Sequence, residues 1–122
     1  MCGICGQFNF RSRQAVDLDV IQAMTKVISH RGPDDEGFYL SGELVFGFRR
    51  LSIIDLALGH QPMSDAEKSV WVVFNGEIYN FPELKRELQS KGYVFRTNCD
   101  TEVLVHGYRE WGCDVVTHLN GM

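Results

Sequence analysis

The sequence predicts a layered α+β domain, because strand-like and helix-like segments are interspersed without a regular strand–helix repeat. Residues 3–10 alternate apolar and more polar side chains, as expected of a strand. Residues 17–29 carry apolar side chains at helical spacing, with Asp17 as a candidate N-cap. Residues 37–49 contain two short strands around Ser41-Gly42, a hairpin turn signal.

The middle of the chain predicts further strands and a helix. Residues 51–56 form another apolar run. Residues 70–74 are nearly all apolar, which predicts a strand buried on both faces. Phe81-Pro82 begins a helix with proline at its first position, and Gly92 ends it.

The last thirty residues predict a short strand, a helix and a turn. The strand covers residues 93–96, and either Asp100 or Thr101 caps the helix that follows. Residues 119–121 are typical of a turn into another strand, so we expect the chain to be part of a longer protein. The helix is expected to bury one apolar stripe, made of Val103, Leu104, Tyr108 and Trp111.

Composition excludes several classes of function. The 122 residues suffice for one domain with a modest core, and their net charge of −4 argues against nucleic acid or an anionic membrane as a partner. The chain has no apolar run near the length of a membrane span and no secretory leader, which favours the cytoplasm. Its four cysteines are then expected to be thiols rather than disulfides: Cys2, Cys5, Cys99 and Cys113.

Cys2 is a candidate nucleophile because it directly follows the initiator Met1. Removal of Met1 would leave a thiol beside a free α-amine. An α-amine ordinarily has a pKa of about 7.7–8.0 and a thiol of about 8.5, so the amine is a candidate base. The alternative is a buried residue at the start of a strand, and position alone favours that alternative.

Three polar groups at the ends of predicted elements could bind a free amino acid. Arg50 could grip a carboxylate through two parallel hydrogen bonds, or be a solvated arginine beside Arg49. Asp100 could hold an ammonium group, or serve only as a helix cap. Glu77 could share the ammonium, or be an exposed turn carboxylate.

Asn75-Gly76 offers two hydrogen-bond donors after the 70–74 strand, namely the Asn75 amide and the Gly76 N–H. Two such donors make an oxyanion hole, each worth about 10²–10³ in rate in favourable cases. The alternative is a tight turn, since Asn-Gly is a common hairpin signal. With a nucleophile and an amino-acid pocket, the donors point to an amino acid that carries a carbonyl in its side chain.

Six motifs in one order now form a recognisable set: Met1-Cys2-Gly3-Ile4, His30-Arg31-Gly32-Pro33-Asp34, Arg50-Leu51-Ser52-Ile53-Ile54-Asp55, Gln61-Pro62-Met63, Phe74-Asn75-Gly76-Glu77-Ile78-Tyr79-Asn80 and Asp100-Thr101-Glu102-Val103. The set resembles the class II glutamine amidotransferases, and more narrowly the glutaminase domain of glutamine-hydrolysing asparagine synthetases. The resemblance runs from residue 2 to residue 122.

The resemblance implies a fold, a reaction and a partner. The fold is a four-layer αββα N-terminal-nucleophile hydrolase sandwich, incomplete at the C-terminus, so that residues 1–122 are a partial glutaminase domain. The reaction hydrolyses L-glutamine to glutamate and passes ammonia to a synthetase domain absent from this chain. ATP and magnesium belong to that domain, no cofactor or metal is expected here, and the parent enzyme is a possible homodimer.

The resemblance also implies roles for individual residues. Cys2 resembles the nucleophile with its α-amine as base, and Asn75 and Gly76 resemble the oxyanion hole. Arg50 resembles the carboxylate ligand, and Glu77 and Asp100 resemble groups near the substrate's amino end. The segment that contacts glutamine comprises Leu51, Ser52, Ile53 and Ile54. Arg31 is either a residue that orders its loop over the site or a solvated charge.

Other functions remain open. Relatives of the asparagine synthetase type also amidate other carboxylates, for instance in surface-polysaccharide pathways. A shortened domain could also be catalytically silent, and its exposed edges predict low stability or aggregation. Cys2 and Cys5 fit a C-x-x-C zinc or redox motif, but Cys99 and Cys113 are too far apart for a second close pair and the motif begins a strand. Cys5 alone fits a small buried hydrophobe.

Overall fold

A computed structural model describes residues 2–52 and 59–122, and its mixture of helices and strands confirms the α+β class. The described residues divide into two compact units. The first contains residues 2–52, His60–Pro62 and Val73–Asn75. The second contains residue 59, Met63–Val72 and Gly76–Met122. Most of the predicted apolar run at 51–56 lies outside the described residues.

The first unit is built on an antiparallel sheet of three strands, β1 (Gly3–Phe8), β2 (Asp35–Ser41) and β3 (Leu44–Arg50). Strand β3 lies in the centre, in the order β1-β3-β2. The predicted hairpin is confirmed, and Gly42 takes the positive φ of 54° that the turn requires. Strand β1 ends two residues earlier than expected.

Helix α1 (Leu18–Val27) packs on this sheet. The predicted cap is confirmed, because the Asp17 side chain accepts a hydrogen bond from the Asp19 N–H at 2.9 Å. Ile21 and Thr25 are its buried residues. An ideal Cβ built on Gly47 of β3 would collide with the Thr25 hydroxyl, so the absence of a side chain at Gly47 lets the helix approach the sheet closely.

The second unit contains three helices and a small antiparallel ladder. The helices are α2 (Phe81–Ser90), α3 (Thr101–Trp111) and α4 (Val115–His118). The ladder pairs β4 (Met63–Ser64) with β5 (Trp71–Val72), and α3 contacts both strands. The hydrophobic cluster of the second unit consists of Met63, Cys99 and Val105, with Val70 and Val72 packed against it. No helix in the described part of the chain is long and apolar enough to cross a membrane.

The predictions for α2 are confirmed. Pro82 lies in the first turn, and Leu84 and Leu88 are buried on one face. Gly92 follows the helix with a φ of 97°, a conformation that glycine adopts without strain.

The prediction of a doubly buried strand over 70–74 is wrong. Only Trp71–Val72 pair with a neighbouring strand, and the residues from 70 to 74 are all half-buried. The Phe74 N–H donates to the Gln61 side-chain oxygen at 2.6 Å. The Gln61 side chain therefore accepts the hydrogen bond that the Phe74 N–H would otherwise donate to a neighbouring strand.

The predicted strand at 93–96 is also absent. The N–H groups of Arg96 and Thr97 donate to the Glu102 carboxylate at 2.9 and 2.8 Å. The carboxylate therefore satisfies the donor at the end of the predicted strand without a strand partner.

The predicted apolar stripe of α3 is wrong in part. Val103 is buried, but Tyr108 is 48% exposed. The buried face instead includes the polar side chains of Glu102 and His106, whose Oε1 and Nε2 atoms lie 3.4 Å apart. Hydrophobic spacing misses this face because a partnered carboxylate at its centre looks like a surface residue in the sequence.

The turn predicted at residues 119–121 is not found, because residues 120–122 themselves pair in an extended conformation with residues 77–79. The Glu77 N–H donates to the Met122 carbonyl at 2.9 Å, and the Met122 N–H donates back to the Glu77 carbonyl at 2.9 Å. The Tyr79 N–H donates to the Asn120 carbonyl at 2.7 Å. This pairing fixes the backbone that follows Gly76.

Candidate active site

Cys2 lies directly before β1 and is half-buried. Because Gly3 pairs with Arg49 across the sheet, Cys2 lies beside the end of β3. Its sulfur is 3.4 Å from the Leu51 nitrogen, which donates to it, and 3.7 Å from the Leu51 carbonyl oxygen. An N–H aimed at a sulfur can hydrogen-bond negative charge that develops there.

Arg50 is the last residue of β3 and is only 6% exposed. The interpretation of a solvated arginine beside Arg49 is therefore wrong. The guanidinium of the neighbouring Arg49 forms an ion pair with Glu36 at 2.8 Å. A buried arginine one residue from the Cys2–Leu51 contact can present a fixed cation to a carboxylate.

The loop after α1 holds the segment that contains Arg50. The Asp34 N–H donates to the Arg50 carbonyl at 3.1 Å, and the Asp34 carboxylate accepts the Ser52 N–H at 2.8 Å. Gly32 lies so close to the backbone of residues 49–50 that no side chain would fit there. Arg31 is exposed, so the contacts that hold residues 50–52 come from its neighbours in the loop.

The predicted oxyanion donors lie on either side of a unit boundary. Asn75 is half-buried in the first unit, whereas Gly76 and Glu77 are half-buried in the second. The structure does not make Asn75-Gly76 the turn of a hairpin between neighbouring strands, because residues 77–79 pair with the end of the chain.

Asp100 is 5% exposed at the start of α3. It occupies the N-cap position, but its side chain makes no capping hydrogen bond to the helix. Its Oδ2 atom instead accepts the Ile78 N–H at 2.9 Å. The cap-only interpretation is therefore wrong for this carboxylate, which binds the segment that carries Gly76 and Glu77.

Glu102 supports the turn before Asp100. Burial disfavours its charge and raises the pKa, but hydrogen bonds from His106, Thr97 and Arg96 outweigh burial and lower the pKa of Glu102 to about 2. The Thr97 hydroxyl, which donates to Glu102 at 2.6 Å, also accepts the Cys99 N–H at 3.1 Å. Glu102 is therefore an anion at neutral pH and fixes the chain on both sides of the turn.

The structure thus forms two groups of candidate residues, one in each unit. Cys2, Arg50, Leu51 and Ser52 come together in the first, and the segment of Gly76 and Glu77 is tied to Asp100 in the second. Ile53 and Ile54 lie outside the described residues. Sequence reasoning did not assign roles to Asp34 and Glu102, and the only signal for them was their place in the quoted motifs.

The surroundings of Cys5 and Cys99 are relevant to the alternative functions, a zinc site or a redox motif. Cys5 lies inside β1, half-buried, with its sulfur 3.3 Å from the Thr25 hydroxyl oxygen and within contact of Gly47. Burial raises the pKa of the Cys99 thiol. Across residues 2–52 and 59–122, no three His, Cys, Asp or Glu side chains form a group that could hold a metal ion.

The class of protein follows from comparison with known families. A family model described as a glutamine amidotransferase domain matches residues 1–122. The chain belongs to this family.

The chain is also similar to individual proteins named as asparagine synthetases. The chain is 46% identical over 124 residues to asparagine synthetase [glutamine-hydrolyzing] 1 of Bacillus subtilis, with all of this chain and 20% of that protein covered. It is 38% identical over 122 residues to asparagine synthetase [glutamine-hydrolyzing] 1 of Arabidopsis thaliana, again covering all of this chain and 20% of the relative. The chain therefore spans about one fifth of the length of these relatives.

Proposed function

We propose that this domain hydrolyses glutamine to glutamate and ammonia, with Cys2 as the nucleophile once Met1 has been removed. The family match supports the reaction. The observation that carries the residue assignment is the position of the Cys2 sulfur, 3.4 Å from the nitrogen of Leu51, the residue that follows the buried Arg50.

The proposed reaction gives each candidate residue a role. Arg50 binds the glutamine carboxylate, and Asp100 and Glu77 bind its ammonium group. The α-amine of Cys2 accepts the thiol proton, and the thiolate attacks the side-chain carbonyl carbon to form a tetrahedral intermediate. Asn75 and the Gly76 N–H hydrogen-bond the oxyanion. The intermediate collapses with release of ammonia, which takes the proton, and water hydrolyses the thioester to glutamate.

Leu51, Ser52, Ile53 and Ile54 complete the proposed glutamine-contacting segment. Support for its first half comes from Asp34, which accepts the Ser52 N–H and donates to the Arg50 carbonyl. A segment held at both of these points can present Arg50 and the Leu51 backbone in a fixed geometry.

The four-layer αββα sandwich is the proposed fold of the complete glutaminase domain. Helix α1 covers one face of the three-stranded sheet. Successive side chains of a strand point to opposite faces of a sheet, so Ile4, Phe8 and Phe46 belong to the face that does not contact α1. Ile4 and Phe8 are 49% and 52% exposed, which supports a second apolar layer against this face.

The ammonia acceptor is proposed from the relatives. The names of these relatives favour asparagine synthesis. In the proposed reaction, ammonia passes to a synthetase domain that uses ATP and magnesium. Amidation of another carboxylate is the alternative. A cytoplasmic location and a homodimeric parent enzyme complete this proposal.

The test compares glutamate release by the purified chain with that of Cys2→Ala, after mass spectrometry has verified removal of Met1. We expect the substitution to abolish hydrolysis, because no other group supplies the attacking sulfur. Cys113→Ala is the matched control, since Cys113 is an exposed thiol. Equal glutamate release from the chain and from Cys2→Ala would reject the proposal and favour a catalytically silent domain.

A further inference from the structure

We propose that Asp100 is a positioning residue for the oxyanion hole as well as a ligand of the substrate's ammonium group. Its carboxylate holds the backbone at Ile78, two residues after the Gly76 N–H. The inference rests on the proposed function, because it assigns Asp100 a second role in the same reaction.

The pairing of residues 77–79 shows why Ile78 needs this partner. In an extended segment, successive N–H groups point to opposite sides. The N–H groups of Glu77 and Tyr79 face residues 120–122, whereas the Ile78 N–H donates to Asp100 Oδ2 at 2.9 Å. Ile78 is only 2% exposed, and a buried N–H without an acceptor is costly. Asp100 therefore takes the place of a neighbouring strand.

Asp100 is itself held rigidly enough to do this. It begins α3 and is 5% exposed. The preceding turn is fixed by Thr97, whose hydroxyl joins the Cys99 N–H at 3.1 Å to the Glu102 carboxylate at 2.6 Å. The carboxylate that holds Ile78 is thus anchored to a helix and to a hydrogen-bonded turn.

The two roles use different oxygens of one carboxylate. Oδ2 accepts the Ile78 N–H, whereas Oδ1 has contacts of 3.5 Å with the Thr101 hydroxyl and the Cys99 sulfur. A carboxylate has about four lone-pair sites, so Oδ1 retains capacity for an ammonium group. A displacement of about 1 Å at a catalytic group can cost roughly 10²-fold in rate, so loss of the Ile78 contact should reduce turnover.

Two substitutions separate the roles. Asp100→Asn keeps an oxygen that can accept the Ile78 N–H but removes the negative charge. Asp100→Ala removes both. The substrates are glutamine and 4-carbamoylbutanoate, which is glutamine without its α-amino group. Asp114→Ala is the control, because Asp114 is an exposed aspartate of the same unit.

With 4-carbamoylbutanoate, we expect Asp100→Ala to lower kcat at least about tenfold and Asp100→Asn to stay within about threefold of the wild type. With glutamine, Asp100→Asn should mainly raise KM. Amide hydrogen exchange at Ile78 should accelerate in Asp100→Ala and stay slow in Asp114→Ala. The positioning role would be overturned if Asp100→Ala kept the wild-type kcat on 4-carbamoylbutanoate, or if hydrogen exchange at Ile78 were unchanged.

A failure of the proposed function would give a different experimental result from a failure of the positioning role. A wild-type chain that hydrolyses neither substrate rejects glutaminase activity and with it the catalytic half of this inference, while exchange at Ile78 still decides whether Asp100 holds the backbone. If Asp100→Ala loses the circular dichroism signal of its helices, Thr97→Val is used instead. This change removes the hydroxyl that fixes the turn before Asp100, while Asp100 itself is retained. Faster exchange at Ile78 and lower kcat on both substrates are then expected, and unchanged values overturn the inference.

Discussion

Arg50 illustrates how burial changes the meaning of a single side chain. In the sequence it is one of two adjacent arginines at the end of a strand. In the structure Arg49 is paired with Glu36, and Arg50 is 6% exposed with its carbonyl held by the Asp34 N–H. A cation in such a position has little freedom to reorient, which suits a role in binding a carboxylate.

Arg50→Ala is expected to raise KM for glutamine by about 10- to 100-fold, because a charge-assisted hydrogen bond contributes roughly 1.5–3 kcal/mol. The value of kcat should change much less, since the carboxylate contact is the same in the ground state and in the transition state. Steady-state kinetics on the purified chain provide the measurement, with circular dichroism to verify folding. Arg13→Ala is the control, because the Arg13 side chain is 72% exposed. An unchanged KM would contradict the assignment of Arg50.

Among the secondary-structure elements, those with local signals could be predicted and those that depend on side-chain partners could not. The Asp17 cap, the Gly42 turn and the Pro82–Gly92 limits of α2 are encoded by neighbouring residues. In the segments expected as strands at 70–74 and 93–96, the N–H groups of Phe74 and Arg96 donate to the side chains of Gln61 and Glu102. Such partners are distant or polar, so apolar patterning carries no sign of them.

The same distinction applies to the candidate site. The sequence suggests Cys2, Arg50 and Asp100 from residue type and position alone. It does not reveal that Asp100 holds the Ile78 N–H, because this contact joins residues 22 positions apart. It also does not reveal that Asp34 fixes the Arg50–Ser52 segment, since Asp34 and Ser52 are 18 positions apart in the sequence.

The close approach of α1 to β3 predicts a sensitive position. Gly47→Ala should lower the free energy of unfolding by about 1–3 kcal/mol, since the new methyl group would collide with the Thr25 hydroxyl and lie 2.8 Å from the Cys5 sulfur. Thermal unfolding followed by circular dichroism measures the effect. Gly42→Asn is the control: no atom lies within 4 Å of a Cβ there, and asparagine tolerates the positive φ. An equal effect of the two substitutions would contradict this account of the packing.

At the scale of the whole molecule, the described residues form two units with different kinds of core. The first is a sheet with α1 packed on one face, where Ile21 and Val45 are nearly inaccessible to solvent. The second contains a buried polar centre at Glu102 and His106, surrounded by the rings of Tyr93 and Phe95. An ionised group at the centre of a unit makes the stability of that unit depend on pH.

Glu102 predicts a specific loss of stability in acid. Its pKa is lowered from 4.5 to about 2, so its contribution is complete above pH 4.5 and disappears as the pH falls towards 2. The shift corresponds to about 3 kcal/mol in the free energy of unfolding. Acid titration of unfolding should therefore be less steep in Glu102→Gln than in the wild type, whereas Glu83→Gln, at an exposed position of α2, should leave it unchanged.

Nuclear magnetic resonance provides a direct measurement on the unmodified chain. The side-chain carboxyl carbon of Glu102 should titrate near pH 2. A midpoint near 4.5 would contradict both the ionised buried glutamate and its support of the Asp100 turn.

The pairing of residues 77–79 with 120–122 has a consequence for the order of events during synthesis. Cys2 is among the first residues that a ribosome translates, but the partner of the segment after Gly76 is made more than forty positions later. A nascent chain that already carries Cys2 therefore lacks the partner of residues 77–79 until residues 120–122 have been translated. Until then the N–H groups of Glu77 and Tyr79 lack these acceptors, and the backbone after Gly76 is not yet held as it is in the folded chain.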